Sequence, residues 1–122
     1  MPLRPLPPCP SSPNCVSTRA LPADTQHAIA PYRYQKSLAE TKELLKATIA
    51  SLPRTRLVEE DGEYLHYEFT SLLIRFVDDV EFVFDEESKT IHFRSASRIG
   101  YGDLGVNRRR MEDIRSSLAG RI

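Results

Sequence analysis

Residues 64–96 read YLHYEFTSLLIRFVDDVEFVFDEESKTIHFRSA, and this stretch decides the fold. Apolar side chains recur at every second position through most of it, which is typical of β-strands with one buried face. The Glu86-Glu87-Ser88 segment predicts a turn between two of these strands. The side chains expected on the buried face are Leu65, Tyr67, Phe69, Ile74, Phe76, Val80, Phe82, Phe84, Ile91 and Phe93. The pattern therefore predicts consecutive antiparallel strands.

One position breaks the alternation. Strict period-two counting places the carboxylate of Asp78 on the apolar face, between Phe76 and Val80. Burying an unpaired carboxylate is too costly. We therefore expect a bulge, a break in the strand or a polar partner at Asp78-Asp79.

Helical patterns flank the strands. Ser37 and Glu40 form the S-x-x-E pattern of a helix N-terminus, and Pro53 sets the limit at the other end. A second helix is predicted over roughly residues 103–118, with Asp103 as its cap. Its apolar stripe holds an amide among the hydrophobic residues: Leu104, Asn107, Met111, Ile114 and Leu118.

These elements predict one α+β domain over residues 36–122: a four-stranded antiparallel sheet, flanked by two helices packed on one face. The first of the four strands comes from residues after Arg54, and Asp61-Gly62 forms the hairpin turn that joins it to the next strand. Residues 1–35 carry eight of the nine prolines. We expect them to form a Pro-rich extended arm without regular structure.

Charge is balanced overall but not along the chain. The 17 basic and 17 acidic residues cancel, while residues 54–92 hold four basic against eleven acidic side chains. The zero net charge argues against binding nucleic acid or an anionic membrane by bulk charge alone, although a local basic patch stays open. Neither a membrane span nor the apolar run of a signal peptide is apparent, so we expect a soluble cytoplasmic protein.

Cys9 and Cys15 enclose a short Pro-rich loop and allow several interpretations. Free or structural thiols are favoured, because a disulfide does not normally persist in a reducing cytosol. A disulfide, a metal site with histidines, and a Cys15 nucleophile with His27 as its base stay open. The spacing matches no zinc signature, and we expect neither a metal nor a cofactor.

Two groups of polar residues are candidates for a site. The proposed hairpin brings acidic and basic side chains of neighbouring strands together, which predicts an ion-pair ladder or a polar cleft. This polar network consists of Arg75, Asp78, Asp79 and Glu81, with Arg94 and Arg98 across from them. We do not expect a catalytic carboxylate pair, because nearby arginines would keep both carboxylates ionised.

The second group surrounds a Gly-rich loop that leads from the last strand into the last helix. This layout exposes backbone N–H groups that bind anions. Asp103 would repel an anion there, however, and the loop matches neither of the phosphate-binding motifs G-x-x-x-x-G-K-S/T and G-x-G-x-x-G. The alternative is a tight turn in which Arg108 and Arg109 pair with Glu112 and Asp113. The candidate ligand-binding residues are Arg94, Ser95, Ser97, Arg98, Asn107 and Arg108.

Three separated motifs carry a family resemblance. They are CPSSPNCVST from Cys9, YEF from Tyr67 followed by RFVDDVEF from Arg75, and RSASR from Arg94 running through GDLGVNR to Arg110. Together they resemble the domain-of-unknown-function family numbered 1499, over roughly residues 9–114. The resemblance implies relatives in bacteria and plastids, and it implies no activity.

The sequence thus favours a non-catalytic binding module for an anionic small molecule or a protein partner, which is the first of three hypotheses. A purely structural accessory protein is the second. A thiol- or metal-dependent enzyme that uses Cys15 is the third.

Overall fold

A computed structural model describes residues 3–122, so residues 1–2 of the predicted arm lie outside the described part. The chain is α+β, with two helices, α1 (Leu38–Ala50) and α2 (Val106–Leu118). The strands are β1 (Cys15–Ser17), β2 (Tyr32–Arg33), β3 (Thr55–Asp61), β4 (Tyr64–Thr70), β5 (Val77–Asp85) and β6 (Thr90–Ser97).

All six strands belong to one antiparallel sheet. Five of them follow the order β1-β6-β5-β4-β3, and β2 pairs with β6 on the same side as β1. The four long strands form the expected meander. The sheet nevertheless has six strands rather than four, because β1 and β2 pair along the free edge of β6. Two- and three-residue strands are too short to show a period in sequence, which is why the pattern missed them.

The Pro-rich segment is partly inside the fold. The expectation that residues 1–35 lack regular structure is wrong at β1 and β2, where Cys15, Val16 and Tyr32 are buried. Pairing with β6 satisfies backbone groups that would otherwise be exposed at a sheet edge. Tyr32 also donates a hydrogen bond from its hydroxyl to the Met111 carbonyl, at 2.6 Å. The N-terminal segment is thereby attached to α2.

The core lies between one face of the sheet and both helices. Leu65, Val80 and Phe82 of the sheet are fully buried beside Leu45 of α1 and Met111 of α2. The period-two prediction of the buried face is confirmed for β4, for β6 and from Val80 onward in β5. Burial of one such side chain stabilises the fold by about 1.5–3 kcal/mol.

The strand prediction fails for residues 71–76. Ile74 and Phe76 are exposed in a loop, because β5 begins only at Val77. The loop closes on itself: the Ser71 N–H donates to the Phe76 carbonyl at 2.9 Å, and the Phe76 N–H donates to the Ser71 hydroxyl at 2.9 Å. Arg75 has a positive φ of 63°, which a strand does not allow.

Asp78 does lie on the buried face, opposite Phe69. Of the three expected solutions the structure has the polar partner: Arg110 of α2 donates to the Asp78 carboxylate at 2.6 Å. The β4–β5 register runs through Asp78 and Asp79 without a bulge. The irregularity lies instead in the edge strand β3, between Leu57 and Glu59.

The helix ends follow the predictions in part. The Ser37 hydroxyl accepts a hydrogen bond from the Glu40 N–H at 3.1 Å, so Ser37 caps α1. Helix α2 begins later than predicted, at Val106, and Leu104 is 95% exposed rather than part of the buried stripe. The backbone turns sharply there, with Leu104 at φ 55° and Gly105 at φ 79°.

Candidate functional site

A buried polar cluster, which we call the Asn107 network, joins the start of α2 to the sheet. Asn107 is completely buried, and its carboxamide oxygen accepts hydrogen bonds from the Ser95 hydroxyl at 2.7 Å and from Arg110 at 2.9 Å. The members of the network are Asn14, Asp78, Ser95, Ser97, Asp103, Asn107 and Arg110. Sequence reasoning placed three of them together, namely Ser95, Ser97 and Asn107.

The nitrogen of the Asn107 carboxamide faces three oxygen acceptors. Its two hydrogens are shared among the Asn14 carbonyl at 3.2 Å, the Ser97 hydroxyl at 3.0 Å and the Asp103 carboxylate at 2.8 Å. A buried polar group is stable when such partners satisfy it. The polar groups of the Asn107 network thus satisfy one another, and their hydrogen bonds hold the start of α2 against β6.

Asp103 lies three residues before the start of α2, whose N-cap position is taken by Gly105 and not, as predicted, by Asp103. Its carboxylate accepts hydrogen bonds from the backbone N–H of Gly105 at 2.8 Å and of Asn107 at 3.0 Å. Burial alone would raise the pKa of Asp103, but the hydrogen bonds from Asn107 and Gly105 lower it. The N–H groups that were expected to attract an anion are therefore already bound to an anionic side chain.

Arg94 and Arg98 lie on the opposite face of the sheet from Ser95 and Ser97, because side chains alternate along β6. Arg98 donates to both oxygens of Asp79, at 2.8 and 2.9 Å, and also contacts Glu68. Arg94 lies 3.9 Å from Glu81 and donates to the Pro8 carbonyl. The structure thus separates the predicted ligand-binding residues into two groups.

The cross-strand pairing on this outer face agrees with the predicted ladder. Glu81 lies directly opposite Arg94, and Asp79 meets Arg98 on the diagonal. The hydrogen bonds from Arg98 and Arg56 lower the pKa of Glu68. Burial would raise the pKa of Asp79, but hydrogen bonds from Arg98 and His66 lower it. Both carboxylates are held ionised, which suits ion pairs and not proton transfer.

Two arginines of the predicted groups lie elsewhere. Arg75 is exposed in the loop before β5 and is not part of the ladder. Arg108 donates to the carbonyls of Thr25 and Gln26, at 3.4 and 3.2 Å. The alternative in which Arg108 and Arg109 pair with Glu112 and Asp113 is not what the structure has: Glu112 pairs with Arg115, and the bonds of Arg108 and Arg109 go to backbone carbonyls.

Cys9 and Cys15 are joined in a disulfide, so the favoured interpretation as free thiols is wrong in this structure. Cys15 pairs with Ala96 of β6 and is fully buried. The loop that the disulfide closes carries Asn14, whose side chain donates to the Gly100 carbonyl at 3.0 Å. The disulfide thus holds Asn14 between the Gly-rich loop and the Asn107 network.

His27 supports the same loop. One ring nitrogen contacts the Asp24 carboxylate and the other the Ser12 carbonyl, both at 2.8 Å. The bond to Ser12 raises the pKa of His27; burial opposes this, and Asp24 adds to it. With both nitrogens bound and Cys15 in a disulfide, these residues do not form the nucleophile and base considered from sequence.

A cavity of about 450 Å³ opens between the end of α1, the end of β4 and one side of α2. Its apolar wall includes Leu52, Phe69, Leu72, Val106 and Ile114. The charged side chains around it are Arg54, Asp78, Arg109, Arg110 and Asp113. Sequence reasoning missed this cavity, because three segments distant in the sequence form it.

Two of the cavity's arginines have no carboxylate partner within residues 3–122. Arg54 donates to the Thr70 carbonyl at 3.0 Å, and Arg109 donates to the Leu104 carbonyl at 3.4 Å. Arg110 is paired with Asp78 and lies 4.8 Å above the Phe69 ring. The cavity therefore combines an apolar wall with cationic groups that can pair with an added anion.

A wider groove of about 760 Å³ lies at the other end of the sheet. Its acidic lining residues are Asp61, Glu63, Asp85, Glu86 and Glu87, and Arg4 also contacts it. The described residues hold no group of three or more side chains placed to bind a metal ion. Because its lining is mostly acidic, this groove suits an anion less well than the cavity beside α2 does.

The family model described as "Protein of unknown function (DUF1499)" matches residues 5–118. The chain belongs to this family. The match covers nearly the whole chain and includes the disulfide loop, the sheet and both helices. Neither the curated proteins nor the solved structures include a match. Over residues 3–122, no helix has the length and apolar character needed to cross a membrane.

Proposed function

We propose that this DUF1499 protein is a non-catalytic binding module for an anionic small molecule, and that the cavity beside α2 is its site. The observation that carries the proposal is the combination of an apolar wall with Arg54 and Arg109, two cations without a carboxylate partner among the described residues. Small-molecule sites are typically concave and largely apolar, with a few polar groups that fix orientation.

The charges around the cavity narrow the ligand class. Arg54 and Arg109 favour one anionic group near the mouth, since charged hydrogen bonds are stronger than neutral ones. Asp113 also lines the cavity, and its carboxylate disfavours a second negative charge close by. Leu52 and Phe69 provide an apolar surface for the rest of the molecule. The ligand class is therefore a monoanion with an apolar body, such as a carboxylate with a hydrocarbon chain.

The outer sheet face is the weaker alternative site. Arg98 is already bound to Asp79 and Glu68, so an added anion would have to replace these ion pairs. Arg94 lies 3.9 Å from Glu81 and donates to the Pro8 carbonyl, and its Nε is buried without a hydrogen-bond partner among the described residues. The acidic segment of a protein partner stays the alternative ligand, and it would compete for Arg54 and Arg109 in the same way.

We also propose that the protein works in an oxidising compartment rather than in the cytoplasm. The Cys9–Cys15 disulfide supports this, because disulfides persist in oxidising environments and are rare in reducing ones. Alkylation of thiols in freshly lysed cells, followed by intact mass, tests it. Two unmodified cysteines joined in a disulfide are expected, and two alkylated thiols would contradict the proposal.

The test of the site is a calorimetric titration of the oxidised protein with octanoate, using octanol as the uncharged probe of similar shape. Octanoate is expected to bind more tightly than octanol. The Arg109→Gln variant is expected to bind octanoate about fivefold more weakly, because an ion pair open to solvent contributes about 1 kcal/mol. Its affinity for octanol is expected to stay unchanged.

Arg19→Gln is the matched control, because Arg19 is an exposed arginine outside the cavity lining. It is expected to bind octanoate like the parent. Equal affinities for octanoate and octanol, or equal losses in Arg109→Gln and Arg19→Gln, would contradict the proposed site.

A further inference from the structure

Exposed hydrophobic side chains are concentrated at one end of the molecule. Among residues 3–122, eight of the twelve large hydrophobic residues that are exposed lie on two segments: the loop of residues 71–76, and residues 98–106, which end at the first residue of α2. We call these two segments the apolar loops. The eight residues are Leu72, Leu73, Ile74, Phe76, Ile99, Tyr101, Leu104 and Val106. A patch of this kind marks an interaction surface, whereas single exposed hydrophobic residues need no explanation.

The apolar loops lie side by side. Strands β5 and β6 are antiparallel neighbours, and the Arg98 N–H donates to the Val77 carbonyl at 3.1 Å where the two loops leave the sheet. The most prominent side chains are Leu73 and Leu104, which are 89% and 95% exposed. The loops therefore project together from one end of the sheet.

Hydrogen bonds between backbone N–H groups and nearby backbone or side-chain oxygens hold both loops in this form. Ser71 and Phe76 exchange two hydrogen bonds at the base of the first loop. Asp103 binds the N–H groups of Gly105 and Asn107 at the base of the second. Fixed loop bases keep the apolar side chains presented to the outside, so little ordering is needed when they dock.

Arginines surround the apolar loops. Arg75 lies at the tip of the first loop, and Arg109 donates to the Leu104 carbonyl of the second. Arg54 bonds to Thr70 just before the first loop. None of these three arginines has a carboxylate partner within residues 3–122. This end of the molecule thus presents three arginines outside any ion pair of the described residues, with Asp103 and Asp113 as the acidic groups nearby, although the net charge of the chain is zero.

We propose that the apolar loops dock this protein on the surface of a membrane that contains anionic lipids, with Leu73 and Leu104 inserted among the lipids. Charge complementarity favours this occupant: arginines that flank inserted apolar side chains lie where lipid phosphates are. Two projecting loop tips also suit a deformable lipid surface better than the closely packed apolar centre of a protein interface. The inserted leucines lie outside the cavity beside α2, whereas Leu72, Val106, Arg54 and Arg109 border both the cavity and the docking surface.

The test is co-sedimentation of the oxidised protein with vesicles of phosphatidylcholine, either alone or with phosphatidylglycerol added. Binding is expected to the mixed vesicles and to fall with added salt. Leu73→Ser and Leu104→Ser are each expected to reduce the vesicle affinity about tenfold or more, because burial of a leucine is lost. Arg75→Gln is expected to reduce it about fivefold, and only on mixed vesicles.

Leu21→Ser is the matched control, since Leu21 is 75% exposed and lies outside the apolar loops. It is expected to bind vesicles like the parent. Circular dichroism is expected to show the parent fold in all variants, because the altered side chains are exposed. The proposal is overturned if mixed vesicles are not bound, or if Leu21→Ser loses as much affinity as Leu73→Ser. Self-association through Leu73 and Leu104 without vesicle binding would also overturn it and would assign the loops to a protein interface.

Discussion

Substitution of Asn107 tests the physical account of the polar network. In Asn107→Ala the five side-chain hydrogen bonds of the carboxamide are lost, at a net value of about 0.5–1.5 kcal/mol each. Several partners keep another bond: Ser95 still accepts one from Arg110, and the Asn14 carbonyl still accepts one from the Ser97 N–H. The total loss therefore lies toward the lower end, about 3 kcal/mol in the free energy of unfolding.

Asn107→Asp provides a sharper comparison. It keeps nearly the same volume but places an oxygen where the carboxamide nitrogen faces the Asn14 carbonyl and the Asp103 carboxylate. Repulsion there makes the Asp variant less stable than the Ala variant at neutral pH, and proton uptake by the new carboxyl relieves part of the loss as the pH falls. Asn107→Asp with a smaller loss than Asn107→Ala would show that the side chain mainly fills space.

The assay is equilibrium urea unfolding under oxidising conditions, followed by far-ultraviolet circular dichroism. Ser116→Ala is the control, because Ser116 is exposed on the same helix and is expected to change stability by less than about 0.5 kcal/mol. A loss below about 1 kcal/mol for Asn107→Ala would refute the reasoning, because it would mean that the buried carboxamide bonds contribute little.

Two further predictions concern the N-terminal segment. The raised pKa of His27 means that its contribution to stability is fully present below the unfolded-state pKa and is lost as the pH rises through the folded-state value. His27→Gln should therefore cost more stability at about pH 5.5 than at about pH 8.5, as measured by urea unfolding. Reduction of the Cys9–Cys15 disulfide should cost at most about 2.4 kcal/mol and should speed amide hydrogen exchange at Ser97, whose N–H donates to the Asn14 carbonyl at 3.0 Å.

Each of these predictions has a distinct contrary result. An equal loss from His27→Gln at both pH values would mean that folding does not raise the pKa of this imidazole. The pKa of His92 is lowered mainly by burial, so the effect of its titration on stability has the opposite sign. Comparison of the variant with the parent cancels this contribution. Unchanged hydrogen exchange at Ser97 after reduction would show that Asn14 stays in place without the disulfide.

The sequence could predict what depends on local spacing. Period-two alternation identified the buried face of the long strands, and hairpin geometry then placed Glu81 opposite Arg94. The S-x-x-E pattern located the start of α1 at its Ser37 cap. The cost of burying a carboxylate indicated that Asp78 needed a special solution, which is the ion pair with Arg110.

What the sequence could not predict depends on contacts between distant segments. Strand β1 and the disulfide take their places from pairing with β6, almost eighty residues away, and no local period signals it. The same alternation that predicts a strand also places Arg94 and Ser95 on opposite faces, so proximity in sequence was a poor guide to a shared site. The cavity needs the ends of α1 and β4 beside α2, which only the folded chain brings together.

The most direct test of the central claim is to map where an anionic ligand binds. Amide chemical-shift changes during titration of the isotopically labelled, oxidised protein with octanoate give this location. The account predicts that the largest changes fall around the cavity, at Thr48, Thr70 and Arg109. Changes centred on Arg94 and Arg98 of the outer sheet face, with none around the cavity, would contradict it.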